Sequence, residues 1–239
     1  MWKQSSRRYI HLVSTRKDSF IESVSTGNSV LSATPRLARG IKSSIHPQSS
    51  VLVPVVETKT STGDSLSVVL TKRSSLLKAH RGEVCFPGGK CDEGETLEET
   101  AIRETHEEIG IDSSQLEIWS RLLPVVTSKF DRQVMPIVAE IKDQSSLHRL
   151  NLNYDEVTSV FSVPVSHLIS IVSSTLFVHP QYKFRLPLFR VRQFTVHAQS
   201  KSAFIPREYC IWGLSAIILH QTLSHLEPTR YEPFKVRFY

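Results

Sequence analysis

The sequence predicts an α/β protein, an α/β/α sandwich around a mixed β-sheet. Short apolar segments bounded by Gly, Pro and polar residues recur from residue 50 onward and are typical of strands. Two longer segments, one ending at Gly110 and one at 209–226, have the apolar spacing of helices. At 239 residues without an internal repeat, the chain is long enough for one well-cored domain and an appendage.

The strands are predicted from apolar, β-branched composition between turn residues. The segments, in order, are residues 50–58, 65–73, 116–126, 134–141, 159–170 (entering a short helix), 176–182 and 188–196. The first two are expected to form a hairpin around Gly63, and the last two a second hairpin. Residues 86–95, with Pro87 and three glycines, predict a loop.

The ends of the first helix are marked by Thr96 and Glu99, which form a capping box, and by Gly110, where a helix stop is expected. Ile102 and Ile109 define its buried stripe. The C-terminal helix is predicted to be amphipathic. Its core-facing residues are Ile211, Leu214, Ile218 and Leu219.

The net charge of +6 lies at one end of the chain. Residues 1–50 contain eight Lys or Arg and two acidic residues, so the remainder is neutral and argues against a broad grip on nucleic acid. Residues 1–45 are basic, Ser-rich and poor in acids, which predicts a mitochondrial transit peptide, with a disordered tail as the alternative. The folded domain is expected at 46–239. Peroxisomal and cytoplasmic locations stay open, although the ending "VRFY" is no Ser-Lys-Leu signal.

Two classes of protein are disfavoured by composition. No apolar run approaches the roughly eighteen residues of a membrane-spanning helix. Cys85, Cys91 and Cys210 are too few and too scattered for a disulfide framework or a zinc motif, which indicates a reducing compartment. We interpret Cys85 and Cys91 as packing and loop residues.

The segment "RETHEEIG" places Glu104, Glu107 and Glu108 in the last turns of the predicted helix. One interpretation is a solvated acidic face opposite the apolar stripe. However, the helix dipole disfavours anions there, and the helix ends before a Lys or Arg at i+4 can follow. A divalent cation would supply the missing positive charge, since carboxylates are the ligands that Mg²⁺ prefers. Gly88 and Gly89 would let a backbone carbonyl approach the same ion.

A family resemblance strengthens the metal interpretation. From Gly89 to Ile111 the chain runs as Gly, five residues, Glu95, seven residues, Arg103-Glu104, two residues, Glu107-Glu108, one residue, Gly110-Ile111. This resembles the box of the Nudix hydrolases over its full length, with Thr105 where the family usually has a bulky apolar residue. The resemblance implies hydrolysis of a nucleoside diphosphate linked to another group, with Mg²⁺ or Mn²⁺. It implies metal ligands at the three glutamates, any of which could also move the water's proton. It further implies a structural Glu95–Arg103 pair, for which a weak surface ion pair is the alternative.

The segment "LTKRSSLLKAHRGEVCFPGGK", residues 70–90, resembles the motif of the coenzyme A diphosphatase branch of that family. Lys78 stands where the branch usually has arginine, so the charge is kept and the bidentate fork is lost. This resemblance implies that CoA or an acyl-CoA is cleaved to 3′,5′-ADP and 4′-phosphopantetheine or its acyl form. Arg73, Lys78 and His80 are candidates for binding the diphosphate or the 3′-phosphate.

Several alternatives remain open. Arg73 and Lys78 are equally compatible with solvated surface charges, and His80 with a structural role. Glu156 is interpreted as a strand-end charge, with a helper base as the alternative. The substrate alternatives are a dinucleotide, a nucleotide sugar or capped RNA, and a non-catalytic Nudix-fold module comes from a different class. The oligomeric state is open, with a homodimer as one alternative.

Overall fold

In the computed structural model, a structure is described for residues 16–26, 46–60, 63–127, 132–179 and 182–232. The helices are α1 (16–25), α2 (Leu97–Ile109), α3 (Val165–Ile171) and α4 (Gly213–Leu226). The strands are β1 (Ser49–Thr60), β2 (Gly63–Arg73), β3 (Val84–Cys85), β4 (Gly88–Lys90), β5 (Leu116–Arg121), β6 (Val125–Val126), β7 (Gln133–Ile141), β8 (Val157–Pro164), β9 (Val172–His179), β10 (Tyr182–Val191), β11 (Thr195–Gln199) and β12 (Tyr209–Ile211). Short 3₁₀ turns lie at Ser113–Gln115 and Gln144–His148.

The main sheet is mixed, as predicted. Its order is β11-β8-β2-β1-β7-β5, with β3, β4 and β6 attached to β2, β1 and β7. The β1–β7 pair is parallel, and the other pairs are antiparallel. Val55 on β1 lies opposite Val68 on β2 and Glu140 on β7, so β1 is a central strand.

Both faces of the sheet are covered, which confirms the sandwich. Because side chains alternate along a strand, Val53 and Val55 enter one core and Leu52 and Val56 the other. The first core is closed by α4, and the second by α2 through residues such as Ala101. The sheet is therefore covered on both sides, by α2 from the middle of the chain and by α4 from near its C-terminal end.

The C-terminal segment differs from the predicted amphipathic helix. Residues 209–211 form β12, and α4 begins only at Gly213. Ile211, Ile218 and Leu219 are buried as predicted, whereas Leu214 is partly exposed. All residues from 218 to 225 are buried, including His220 and His225, so the second half of α4 has no solvent face.

Helix α1 lies in the segment that the sequence analysis left out of the fold. Phe20 is 1% exposed and packs against Trp119 of β5 and His225 of α4, with ring centroids 5.7 and 5.9 Å away. Ser23 Oγ lies 2.9 Å from His225 Nδ1, and Lys17 forms an ion pair with Glu117. Residues 16–26 thus belong to the packed structure, while most of the predicted transit peptide lies outside the described residues.

A second, three-stranded sheet, β12-β10-β9, was not foreseen. The predicted hairpin of residues 176–182 and 188–196 forms, but with other bounds: its strands are β9 (Val172–His179) and β10 (Tyr182–Val191). Leu176 pairs with Arg185, Pro187 lies inside β10 opposite Ser174, and residues 195–199 join the main sheet as β11. Lys183 and Arg185, both exposed, and Pro187 interrupt the apolar pattern of the first half of β10, so the sequence indicated a loop there. The predicted strand over 116–126 is likewise two strands, β5 and β6. No helix formed by the described residues is both long and apolar enough to cross a membrane.

Candidate functional site

The predicted capping of α2 is confirmed. Thr96 Oγ1 accepts from the Glu99 N–H at 3.2 Å, and the Glu99 carboxylate accepts from the Thr96 N–H at 2.8 Å. At the other end Gly110 has φ 76°, a left-handed conformation suited to glycine, and its N–H donates to His106 O at 2.8 Å. The helix carrying the three glutamates is therefore held at both ends by local interactions.

The C-terminal carbonyls of α2 are also satisfied by a distant segment. The Asn151 N–H donates to Ile109 O at 3.1 Å, and the Asn153 N–H donates to Glu108 O at 3.0 Å. The Asn153 side-chain amide then donates to Glu156 Oε1 at 3.2 Å. This segment brings a fourth carboxylate, Glu156, toward the predicted metal ligands.

Gly88 and Gly89 allow close approach of backbone and side chains. A Cβ on Gly88, whose φ is +152°, would lie 2.3 Å from Ser50 O and 2.5 Å from Val51 Cα on β1. A Cβ on Gly89 would lie 2.2 Å from Glu104 Oε1. The two glycines therefore let β4 pair with β1 and let the Glu104 carboxylate lie against the loop backbone.

The Arg103 guanidinium joins the loop to the glutamates. Its Nε donates to Glu95 Oε1 at 2.7 Å and Nη2 donates to Glu95 Oε2 at 3.1 Å, a bidentate pair. Nη2 also donates to Lys90 O at 3.1 Å. Nη1 donates to Glu104 Oε1 at 3.1 Å and to Glu107 Oε2 at 3.0 Å. Hydrogen bonds from Arg103 hold the pKa of Glu95 down at about 2.

Glu108 is buried, so the three glutamates do not form a single solvated acidic face. It is 1% exposed, in line with the buried residues Ala101 and Thr105 on the same face of α2. Burial raises the pKa of Glu108 to about 8, and the pKa of Glu104 is raised for the same reason. Thr105 satisfies its hydroxyl by donating to Ala101 O at 2.7 Å, which is how threonine fits a packing position.

The donor set of this site fits a divalent cation. Glu108 Oε1 accepts a long hydrogen bond from the Gly88 N–H at 3.5 Å, and its buried Oε2 has no hydrogen-bond partner. A buried carboxylate oxygen without a hydrogen-bond partner requires an explanation. A bound divalent cation is one such explanation, because hard cations prefer carboxylate oxygens as ligands. Within the described part of the chain, no three His, Cys, Asp or Glu side chains converge in a metal-binding arrangement. Instead, Arg103 occupies the oxygens of Glu104 and Glu107.

Among the predicted substrate residues, Arg73 lies nearest to the glutamates. It ends β2, its positive charge lowers the pKa of Glu108, and its buried Nε has no hydrogen-bond partner. Arg73 also acts on Cys85, whose thiol pKa is raised to about 11 chiefly by burial. This places Cys85 in a packing role, 3.1 Å from Thr71 Oγ1.

Lys78 and His80 lie on the exposed connection between β2 and β3. His80 has φ 56°, and its Nδ1 lies 3.0 Å from Glu83 Oε2. The His80 side chain is 73% exposed, and Glu83 lies three residues further along the same connection. The structure therefore brings Arg73 to the glutamates but leaves Lys78 and His80 on the surface.

Glu156 is the acidic neighbour whose position the sequence left undecided. Its charge raises the pKa of both Glu108 and Glu104, and its carbonyl accepts from the Ser74 N–H at 2.7 Å. The sequence alone pointed to Glu156 only through the segment "NYDEV". The position of Glu156 near α2 depends on the hydrogen bonds that Asn151 and Asn153 make to the end of that helix.

The fold and this loop–helix site are those of a Nudix hydrolase. The NUDIX domain model matches residues 46–180, more than half of the chain, and the chain belongs to the Nudix family. Its members are pyrophosphohydrolases, so this protein is an enzyme of that kind.

Three curated relatives are similar over most of their length. "Nudix hydrolase 3" of Caenorhabditis elegans is 45% identical over 183 residues, covering 77% of this chain and 75% of that protein. "Mitochondrial coenzyme A diphosphatase NUDT8" of Mus musculus is 32% identical, covering 70% of this chain and 74% of that protein. "Peroxisomal coenzyme A diphosphatase NUDT7" of Mus musculus is 35% identical, covering 70% of this chain and 65% of that protein.

Proposed function

We propose that this Nudix enzyme cleaves the pyrophosphate bond of CoA and acyl-CoA, releasing 3′,5′-ADP and 4′-phosphopantetheine or its acyl form. The observation that carries the proposal is the segment 70–90, which resembles the CoA diphosphatase motif and leads directly into the glutamate helix. The names of the NUDT8 and NUDT7 relatives support the same substrate.

Glu104, Glu107 and Glu108 are the proposed ligands of Mg²⁺ or Mn²⁺. When bound, the metal supplies an activated water and charge for the developing phosphoryl oxygens. The cation also stabilises the ionised form of Glu108, which burial alone disfavours. Arg103, held by Glu95 and Lys90 O, keeps Glu104 and Glu107 oriented toward one another.

Arg73 is the proposed contact to the substrate diphosphate, because its positive charge and its buried Nε lie beside Glu108. Lys78 and His80 would reach the substrate only from the exposed β2–β3 connection. Glu156 accepts from the Asn153 amide and faces the ligand carboxylates, so a role in moving the proton of the attacking water is proposed for it.

A second candidate is the hydrolysis of another nucleoside diphosphate derivative. The observation in its favour is that the 45% identical relative is named only "Nudix hydrolase 3", without a CoA substrate. Lys78, in place of the branch arginine, also weakens bidentate phosphate recognition. Product analysis with CoA, an acyl-CoA, NADH and ADP-ribose separates the two candidates.

Import into mitochondria is proposed to be directed by the N-terminal segment 1–45. Because α1 (16–25) packs into the core, the test deletes only residues 1–15, which are basic and free of acids, as in a transit peptide. The test is the location of a fluorescent fusion of the full chain against one lacking residues 1–15. An unchanged location would contradict import through this segment, and a cytoplasmic or peroxisomal full-length fusion would favour those alternatives.

The reaction is tested by mass-spectrometric product analysis with the full chain, because Phe20 belongs to the core. CoA, an acyl-CoA, NADH and ADP-ribose are each supplied with Mg²⁺, with Mn²⁺ or with a chelator. The expected result is metal-dependent 3′,5′-ADP from the CoA compounds, well ahead of cleavage of the others. Equal or faster cleavage of NADH or ADP-ribose would overturn the CoA assignment and keep the metal site.

A further inference from the structure

The loop formed by residues 200–208 is anchored at both ends to the beginning of β8. At one end, the Ser200 N–H donates to Thr158 O at 2.8 Å. At the other, the Tyr209 hydroxyl lies 3.4 Å from Ser159 Oγ, and its ring stacks on Phe161 at 4.0 Å between centroids. The 200–208 loop therefore begins and ends over two neighbouring residues of one strand.

This anchor places the loop at the end of the main sheet where β2 ends and β8 begins. β8 begins one residue after Glu156, and Asn153 links the two glutamates: its N–H donates to Glu108 O at 3.0 Å and its side-chain amide to Glu156 Oε1 at 3.2 Å. The first residue of β8, Val157, pairs with Arg73 at the end of β2. On the neighbouring strand, β1 pairs with Gly88–Lys90 at the same end. The 200–208 loop consequently flanks the diphosphate end of the proposed substrate site.

The loop carries an exposed aromatic ring and two exposed cations. Phe204 is 78% exposed, the highest value among the exposed large hydrophobic residues of the described part of the chain. Lys201 and Arg207 are exposed on either side of it. The loop's acidic residue, Glu208, is already held by Arg190 at 3.1 Å and Arg192 at 2.8 Å, so it leaves the two loop cations available to an anion.

We propose that the 200–208 loop binds the nucleotide half of the substrate, with Phe204 stacking on the purine and Lys201 and Arg207 pairing with the ribose phosphate. This rests on the proposed function, since CoA has an adenine and a 3′-phosphate on the same side of its pyrophosphate. An aromatic side chain stacks on a base face without needing a shaped pocket. Exposed cations are matched to phosphate by charge. The anchoring to β8 limits how far the ring moves from the diphosphate.

The test measures binding of the two product halves, without metal and without turnover, by calorimetry on the full chain. Phe204→Leu should raise the Kd for 3′,5′-ADP by about fivefold or more, the range for a lost base–aromatic stack, while Phe204→Tyr should retain affinity. The Kd for 4′-phosphopantetheine should not change. Arg207→Gln should raise the Kd for 3′,5′-ADP more than the Kd for 5′-AMP, because only 3′,5′-ADP has the second phosphate.

The matched control is Leu123→Ala, which removes another exposed apolar side chain, 45% exposed, far along the chain from the loop. It should leave both Kd values unchanged. If Phe204→Leu raises the Kd for 4′-phosphopantetheine or its acyl form instead of the Kd for 3′,5′-ADP, the loop contacts the pantetheine half of the substrate and the proposal is overturned. Unchanged 3′,5′-ADP affinity also overturns it. A failed CoA assignment is recognised separately, by the product analysis of the wild-type enzyme.

Discussion

Gly89 and Glu104 are in such close contact that a Cβ on Gly89 would lie 2.2 Å from the Glu104 carboxylate oxygen Oε1. The same carboxylate accepts from Arg103 Nη1 at 3.1 Å. Its orientation is therefore set on one side by a missing side chain and on the other by a guanidinium that Glu95 anchors.

Gly89→Ala should impair metal binding, whereas Gly88→Ala should lower the stability of the fold. In Gly89→Ala the clashing atom ends a flexible side chain, so Glu104 swings away, metal binding weakens and the fold persists. In Gly88→Ala the clash is with the β1 backbone, at Ser50 O and Val51 Cα, and the free energy of unfolding should fall by about 3 kcal/mol or more. Chemical denaturation and Mn²⁺ titration separate these effects. Equal destabilisation by both substitutions would contradict the assignment of Glu104.

Glu108→Gln should abolish most turnover while stabilising the metal-free protein by about 1–2 kcal/mol, because an unpartnered buried carboxylate is costly. Activity assays and thermal unfolding in chelator measure the two outcomes. Glu93→Gln, at an exposed position of the same loop, is the matched control and should change neither. Near-wild-type turnover by Glu108→Gln would remove Glu108 from the metal site.

Acid should weaken the fold through His197. Burial is the main cause of the lowering of its pKa from 6.5 to about 4, and Nε2 lies 2.8 Å from Ser162 Oγ. Between those pH values the unfolded chain binds a proton that the folded chain does not. The free energy of unfolding should therefore fall as the pH drops from about 6.5 to about 4, by at most about 1.4 kcal/mol per pH unit.

His197→Gln should flatten that part of the pH profile, measured by urea denaturation at a series of pH values. His106→Gln controls for the loss of a histidine at an exposed position. A profile as steep in His197→Gln as in the wild type would assign the acid sensitivity to other groups.

Phe20→Ala should lower the free energy of unfolding by about 3–5 kcal/mol, because it removes a ring packed between Trp119 and His225. Denaturant titration of the full chain gives the value. Ser19→Ala, an exposed change to alanine in the same helix, should have almost no effect. Similar stabilities for the two variants would show that α1 does not hold to the core in solution.

The features that the sequence predicted well are those with local causes. Thr96, Glu99 and Gly110 determine the ends of α2 through backbone hydrogen bonds within a few residues. The spacing of Glu95, Arg103 and the three glutamates also identified the family. The bounds of the β9–β10 hairpin were missed because Lys183, Arg185 and Pro187 interrupt the apolar pattern of β10, although these residues pair with β9 through the backbone.

By itself, therefore, the sequence determined the family, through the spacing of its motif residues. It also determined the helix that carries the glutamates and the β1–β2 hairpin, because both depend on contacts between residues that are near one another in the chain. Only the tertiary structure decided that Glu108 is buried, since its burial requires β4 and the 151–156 segment to meet α2. It also decided that α1 joins the core, because Phe20 finds its partners about 100 and 200 residues away, and such long-range packing leaves no local pattern.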